Sequence, residues 1–402
     1  MFAKLLSWFS WLPWFKRPHA ATGGENPDAL YALGTQAFAL GQFDAAAAYA
    51  ARAAAIEPGL PPVQYLLGMA LLALGRDDAA VSALERVERG RAAYPLSSHL
   101  ESTLALARAR RDIALGRSAR LDPHPDTAGR RVSLIICSVK PALLQRAVDR
   151  YRDLLGNALT EVIHIDDAVS LCEGYNRGAT RAIGDLLIFS HDDVEVVSPD
   201  FSAKLFDTLG NEGSHDFFGV AGSTQLGGPS WNTAGWACNR GQVAHPHGDG
   251  RFTVSVFGPG GQLTPDVQVV DGLFFACRRE VFTRVQFDEK TFDGWNHYDL
   301  DFSYAVWKAG FRTCVRADML ISHDSSGSYG PDWQRYAGRF VDKWGEGIVT
   351  ALPPDPAELP QHTLQSAAEW QLFSQHLFDA REAALVDLPN STRQHLHFAP
   401  VK

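Results

Sequence analysis

What most constrains this chain is a series of short apolar runs that end in carboxylates. Residues 186–190 (LLIFS) have the length and character of a fully buried strand, and His191, Asp192 and Asp193 follow together at its carboxyl end. Residues 132–138 (VSLIICS) are a β-branched apolar run typical of a central parallel strand, followed by helical spacing over 142–155. Residues 161–165 repeat the strand signal and end in Asp166-Asp167, after which Gly174-Tyr175-Asn176-Arg177-Gly178-Ala179 opens a second helix. Strands alternating with helices predict an α/β domain with a doubly wound nucleotide-binding half, where ligands sit at the carboxyl ends of strands. Adjacent carboxylates repel unless something positive lies between them. A divalent cation held by hard oxygen ligands, its shell completed by a ligand's phosphates, explains Asp192-Asp193. A turn with a helix N-cap explains the pair equally well. No GxGxxG follows the first strand and no GxxxxGK[ST] occurs, which disfavours a dinucleotide dehydrogenase and a P-loop enzyme.

A chain of 402 residues has room for roughly two to three domains. Its 46% hydrophobic and 21% charged residues are globular values. A formal net charge of -9 argues against a nucleic-acid partner, whose phosphates ask for a basic surface. Small molecules and proteins are the better partners. Cys137, Cys172, Cys238, Cys277 and Cys314 are odd in number and have no CxxC pair, as expected of reduced thiols in a cytoplasmic protein.

Residues 1–17 (MFAKLLSWFSWLPWFKR) are rich in Trp and Phe, and Pro13 interrupts an apolar stretch shorter than the roughly 20 residues of a spanning helix. The three tryptophans also fit a signal peptide poorly. Two readings stay open: an anchor lying on the inner face of the membrane, or a segment docked on the protein's own core. Residues 18–26 read as linker. From Pro27 the sequence repeats: Tyr31, Leu33, Gly34, Leu40, Gly41 and Ala45 recur as Tyr65, Leu67, Gly68, Leu74, Gly75 and Ala79, each at an offset of 34. That period means stacked helix-turn-helix units over 27–120, with a degenerate third unit from about residue 95 to 116. The Leu-Gly of the first helix, the small residues of the second and the closing Glu57-Pro58 resemble tetratricopeptide repeats. The resemblance implies a concave surface for a protein partner; so few repeats are equally suited to packing against the next domain. Residues 121–130 form a Pro-containing linker.

The series VSLIICS, IHIDD, GYNRGA and GDLLIFSHDDVEV resembles the nucleotide-diphosphosugar domain of family 2 glycosyltransferases, the GT-A fold, and most closely its StrF-like branch. The likeness continues through residues 270–282, 287–312 and 321–328, giving a Rossmann-like mixed-sheet domain over 131–350 and a C-terminal helical extension over 351–402. What the resemblance implies is carried residue by residue. Asp166 matches the acidic residue that binds the base, and Asp192 and Asp193 match the DxD-type signature, with Asp193 a metal ligand. His323 matches the histidine that completes the metal and diphosphate site, and Asp299 in Tyr298-Asp299-Leu300-Asp301 matches the general base. Tyr298 stands where many members have Glu, which bears on acceptor recognition. The donor implied is a nucleotide sugar, UDP-linked by default, and the cofactor Mn²⁺ or Mg²⁺. The acceptor would be a glycan, a lipid-linked glycan or a protein.

These residue types also suit the chemistry without the family. A nucleoside diphosphate leaving group develops charge that a cation on Asp193 and His323 would stabilise. The incoming hydroxyl needs a base on the face opposite the leaving group, and Asp299 is the candidate. One displacement inverts the anomeric centre. Each assignment has a plainer rival: a helix cap or first-turn charge for Asp299 or Asp301, a backbone-satisfied loop histidine for His323, and turn chemistry for Asp166 and Asp167. Between residues 210 and 271 the chain is Gly-rich and reads as a loop-rich insertion, in which Trp231 and Trp236 could stack on sugar rings and Asp271 could face the sugar. His245, His247 and Asp249 have metal-like spacing, but histidines in a Gly-Pro loop are commonly solvated, and no metal is assigned there. Residues 333–344 and 364–384 show helical spacing. Two rivals stand beside the transferase: a catalytically inactive sugar-nucleotide-binding scaffold that recruits partners through its repeats, and a nucleotidyltransferase, which would want a Gly-rich basic loop after the first strand.

Overall fold

A computed structural model describes residues 26–89, 98–123, 125, 127–210, 215–325, 327, 329–350 and 359–386. The aromatic segment 1–17 lies outside them, as do the proline-rich stretch 351–358 and residues 387–402. Two compact units emerge, one reaching to Ser118 and including Leu372–Leu377, the other Ala119–Gln371 with the residues from Phe378. No helix among the described residues is long and apolar enough to cross a membrane.

In the first unit the 34-residue period becomes helix pairs: α1 (Pro27–Ala39), α2 (Phe43–Ile56), α3 (Pro61–Ala73) and α4 (Asp77–Arg89). Pro27 starts α1 where its missing N–H costs nothing, and the Asn26 side chain caps the Asp28 amide at 2.8 Å. Gly41 and Gly75 end their helices with φ of 73° and 68°, a conformation other residues resist. A Cβ on Gly68 would lie 2.6 Å from Leu84 Cγ, so that position sets how closely α3 and α4 approach. The degenerate third unit is represented by a single described helix, α5 (Ser98–Ala114), where Tyr65 Oη meets Thr103 Oγ1 at 3.4 Å.

The second unit is α/β. Its first strands and helices are β1 (Val132–Cys137), α6 (Pro141–Leu155), β2 (Leu159–Ile165), α7 (Leu171–Arg181), β3 (Leu186–Ser190), β4 (Val194–Val196) and α8 (Phe201–Leu209). There follow β5 (Phe217–Gly219), β6 (Ala221–Ser223), β7 (Asn239–Pro246), β8 (Phe252–Val256), β9 (Leu263–Pro265), β10 (Val269–Val270) and β11 (Phe274–Arg278). The chain continues through α9 (Arg279–Arg284), α10 (Tyr298–Lys308), β12 (Thr313–Arg316), β13 (Ile321–His323), α11 (Pro331–Trp344), β14 (Gln361–Leu364) and α12 (Ala367–Val386). One seven-stranded sheet has the order β2-β1-β3-β11-β5-β12-β9. It is parallel from β2 through β3 and antiparallel where β11 joins β3 and β5, so the sheet is mixed. Every residue of β3 is buried, as its unbroken apolar sequence requires of a strand covered on both faces. Phe189, Phe275, Phe287 and Phe302 form the core behind it, with Phe287 and Phe302 stacked at 4.0 Å.

The stretch read as a loop-rich insertion does have more than half of its residues outside strands, but it also carries β5 to β10, which the sequence did not reveal. Strands β6, β7, β10, β13 and β4 form a second path, with β8 on β7 and β14 on β8. Apart from the eight-residue β7, these strands have only two to five residues, too few for alternation to be told from loop, and their pairing is non-local. The region predicted as one helix over 364–384 begins later, because residues 361–364 pair with β8 as β14 before α12 starts.

Candidate active site

Three pairings build the site. The first sets the carboxyl ends of β2, β1 and β3 side by side, with Cys137 opposite Ile165 and Ile135 opposite Phe189. The second, β13 against β4, places His323 opposite Val194 and so beside Asp193; the Asp324 amide donates to the Asp193 carbonyl at 2.9 Å. The third, β11 against β3, places Phe274 opposite Ser190, and the His191 amide donates to the Leu273 carbonyl at 3.1 Å. Residues 271–273 therefore lie against the turn at 191–193.

His191, Asp193 and His323 bring one donor atom each within 4.8 Å of one another, the one such group among the described residues. Asp193 Oδ1 lies 3.2 Å from His323 Nε2, His191 Nδ1 is 3.3 Å from that same nitrogen, and Nδ1 is 3.8 Å from the carboxylate oxygen. An octahedral ion with bonds of about 2.1 Å separates adjacent donors by about 3.0 Å, so the three atoms suit one face of such a shell. Ser325 Oγ lies 3.0 Å from His323 Nε2, and His323 also accepts, through its carbonyl, a bond from His245 Nδ1 at 2.9 Å. Burial opposes the charge on Asp193, but the bond and charge of His323 outweigh it and hold this carboxyl well below the usual range. His191 is pushed down to about 4 by burial first and by His323 second, so it is neutral. His323 is the opposite case: burial lowers it, yet Asp193 raises it overall.

Asp192 faces elsewhere. Its Oδ2 accepts from Ser138 Oγ at 2.6 Å, tying the end of β3 to the end of β1. Asp166 is exposed at the end of β2, and its neighbour Asp167 is paired with Arg177 at 2.8 Å. The structure thus separates the two halves of the Asp192-Asp193 pair and brings His191 to Asp193 instead. Sequence reasoning missed His191 as a site residue. The signal that could have found it is alternation past the strand end, which puts residues 191 and 193 on one side and 192 on the other.

A second group of carboxylates lies on the α10 side. Asp271 Oδ2 accepts from Trp231 Nε1 at 2.6 Å and Oδ1 from the Leu273 amide at 2.9 Å. Asp299, in the first turn of α10, is raised to about 7 by burial first and by the negative charge of Asp271 second; the amides of Leu300, Asp299 and Gly272 oppose this. Asp301, two residues on, is buried and bound at 2.7 Å both to Lys343 Nζ and to Trp344 Nε1. Of the two carboxylates that open the helix, Asp301 is engaged in holding α11 and Asp299 remains on the Asp271 side.

The remaining predicted contacts are distributed as follows. Trp231 is buried, packed edge-on against Phe257 at 4.7 Å and bonded to Asp271, so its indole supports the site rather than offering a stacking face. Trp236 is partly buried in the segment before β7. Tyr298 is buried with its hydroxyl 2.6 Å from His191 Nε2 and 3.0 Å from the Gly272 carbonyl, which places it behind His191 and away from any surface an acceptor could touch. The His245, His247 and Asp249 side chains go to three different partners: the His323 carbonyl, Thr253 Oγ1 at 2.8 Å and Arg251 at 2.7 Å. The arrangement as a whole offers three donors that could hold one cation, on the turn after β3 and the end of β13, and one carboxyl poised near neutrality in the first turn of α10.

A family model described as glycosyltransferase-like matches residues 133–344, and a tetratricopeptide-repeat model matches residues 37–95. No curated protein matches. Among solved structures the chain is similar to the mannosyltransferase PcManGT of Pyrobaculum calidifontis, in complex with GDP-Man and Mn²⁺, at 14% identity over 77% of this chain and 86% of that one, with a TM-score of 0.36. It is also similar to an O-GlcNAc transferase mutant of Thermobaculum terrenum, at 24% identity over 35% and 30% of the two chains, TM-score 0.19. A third similar structure is GalNAc-T7 with UDP, GalNAc and Mn²⁺, at 15% identity over 56% and 50%, TM-score 0.32.

Proposed function

The chain belongs to the glycosyltransferase-like family whose model spans residues 133–344, and from that membership we propose an inverting sugar transferase of the StrF-like branch. It moves a sugar from a nucleoside diphosphate, uridine diphosphate by default, to an acceptor hydroxyl, with Asp299 as general base. The layout proposed with it is a repeat module over 27–120 that engages a protein partner, a transferase domain over 131–350 and an extension over 351–402.

The observation that carries this reading is the contrast between Asp193 and Asp299. Asp193 is kept anionic beside two imidazoles, while Asp299 is held near neutrality. Asp193, His323 and His191 are the residues that would hold a divalent cation, Mn²⁺ or Mg²⁺, and their donor separations fit one. Bound there, the cation supplies Lewis-acid stabilisation of the diphosphate as it leaves. Asp166, exposed at the end of β2, is positioned to accept from a nucleobase, and Asp192 and Asp271 complete the polar wall of the donor side. Asp299 takes the proton of the incoming hydroxyl. A carboxyl near 7 suits that task, since a base is most effective when its pKa lies near the working pH. Because the displacement is single, no carboxylate nucleophile is needed and the anomeric configuration inverts.

The test is nucleoside diphosphate release from a panel of nucleotide sugars, with Mn²⁺, Mg²⁺ or chelator, together with donor binding on the same samples. Release of one nucleotide that requires metal, and that falls by at least about 100-fold in Asp193→Ala, is the expected result. Metal-dependent donor binding without turnover, even with acceptors supplied, would return the chain to the scaffold reading.

A further inference from the structure

We propose that Tyr298 is a positioning residue that fixes the tautomer of His191, and that the resulting site of two imidazoles and one carboxylate takes Mn²⁺ in preference to Mg²⁺. This rests on the cation reading above and adds to it the kind of ion selected and the residue that selects it.

The Tyr298 hydroxyl lies 3.0 Å from the Gly272 carbonyl oxygen, which can only accept, so the hydroxyl donates there. Its oxygen then faces His191 Nε2 at 2.6 Å as an acceptor, and Nε2 must carry the hydrogen. A neutral imidazole has one N–H. Nδ1 is therefore left with its lone pair, 3.3 Å from His323 Nε2 and 3.8 Å from Asp193 Oδ1. Both ends of this chain of bonds are fixed by the sheet: the Asp271 amide donates to the Ala221 carbonyl at 2.9 Å, and the His191 amide to the Leu273 carbonyl at 3.1 Å. Tyr298 itself is buried edge-on against Tyr175 at 5.7 Å, so its hydroxyl has little freedom to turn away.

A hydrogen-bond acceptor behind a ligating histidine, taking its other ring N–H, is the usual device for orienting the ring that binds metal. The consequence here is chemical selection. Mg²⁺ keeps its waters and binds mainly through carboxylates, whereas a first-row transition ion accepts imidazole nitrogen readily. A site with two nitrogen donors and one oxygen donor discriminates against Mg²⁺.

The full chain, stripped of metal by chelation, would be titrated with Mn²⁺ alone by electron paramagnetic resonance and with Mg²⁺ in competition, and thermal melts would confirm folding. The wild type is expected to prefer Mn²⁺ by at least about tenfold, with pulsed spectra showing two imidazole nitrogens on the bound ion. Tyr298→Phe should weaken Mn²⁺ by about 10- to 100-fold and remove one nitrogen signal. His191→Asp, which restores oxygen, should bring the Mn²⁺ to Mg²⁺ ratio toward unity; this variant carries the test if Tyr298→Phe does not fold. A folded Tyr298→Phe with unchanged Mn²⁺ affinity and both nitrogens, or a His191→Asp that keeps the Mn²⁺ preference, overturns the inference while leaving the cation reading standing. No Mn²⁺ binding by the wild type, or full binding by Asp193→Ala, overturns both.

Discussion

Asp193 and Asp299 are the same residue type at two ends of one site, and their surroundings set them to opposite states. At the β3 end, His323 bonds Asp193 and keeps it charged. At the α10 end, Asp299 has burial and a second carboxylate, Asp271, against it, opposed by the backbone amides of Leu300, Asp299 and Gly272. A carboxylate that stays charged can hold a cation; one poised near 7 can take and release a proton. Pairs of acids driven apart in this way are how a fold runs both roles at one pH. The comparison also distinguishes Asp299 from Asp301 on the same helix, since Lys343 and Trp344 occupy Asp301.

The largest effect that would break this contrast is at the base. Asp299→Asn keeps the shape and removes the proton acceptor, so nucleoside diphosphate release should fall by about 10²- to 10⁴-fold while Mn²⁺ titration is unchanged. Equal loss of both would mean that Asp299 belongs to the cation end, and the division of labour would be wrong. A smaller effect is expected where the two ends meet. A Cβ on Gly272 would lie 2.7 Å from Tyr298 Cζ and 2.8 Å from Asp299 Cβ, and would also press on the Tyr298 hydroxyl. Gly272→Ala should therefore displace the support of His191 and the base together. It should lower release by about 10- to 100-fold and weaken Mn²⁺, at an overpacking cost of about 1–3 kcal/mol in stability. A variant that loses only one of the two functions would show that the ends are not mechanically joined at this glycine.

That junction marks the limit of what the sequence could tell. The strands β1, β2 and β3 and the helices between them were legible because unbroken apolar runs alternate with helical spacing, and the family resemblance nominated Asp193, His323 and Asp299. His191 was passed over because Asp192-Asp193 reads as a pair, although the pleat separates neighbours and joins every second residue. The role of Tyr298 could not be read at all. It depends on the register of β11 against β3, which brings residues 271–273 to His191 from some eighty positions away in the chain, and no local pattern carries that. The second sheet escaped for a related reason, because most of its strands are too short for their own periodicity to show, and the eight-residue β7 has burial that does not alternate.

A finer test separates the two causes that raise Asp299. Activity that needs the deprotonated base should rise with pH through about 7. Asp271→Asn removes the neighbouring negative charge, the second of those causes, and the amide oxygen can still accept from Trp231. With that repulsion gone the charged form of Asp299 is less disfavoured, so its pKa drops and the acid limb of the kcat/KM profile should move down by about one pH unit. An unmoved limb would assign the shift to burial alone.

The smallest expected effect is on stability, and its sign is fixed by the same residue. Asp299 sits at about 7 in the fold against an ordinary 3.8, so between those values the folded chain binds a proton that the unfolded chain has released. Stability is then full below 3.8 and declines as pH rises through about 7. A gap of about three pH units corresponds to at most about 4 kcal/mol. Asp299 is only partly buried by surface area and accepts from backbone amides, which reduces the cost to the order of 1–2 kcal/mol, a few degrees in Tm. Asn cannot ionise, so Asp299→Asn should melt with the wild type near pH 4 and a few degrees above it at pH 8. The catalytically weakest variant would then be the more stable one at alkaline pH, as expected where a charge is kept in a poorly solvated place for its reactivity. If Asp299→Asn instead melts lower at pH 8, the carboxylate is stabilised by the amides of Gly272, Asp299 and Leu300, and burial is not what poises the base.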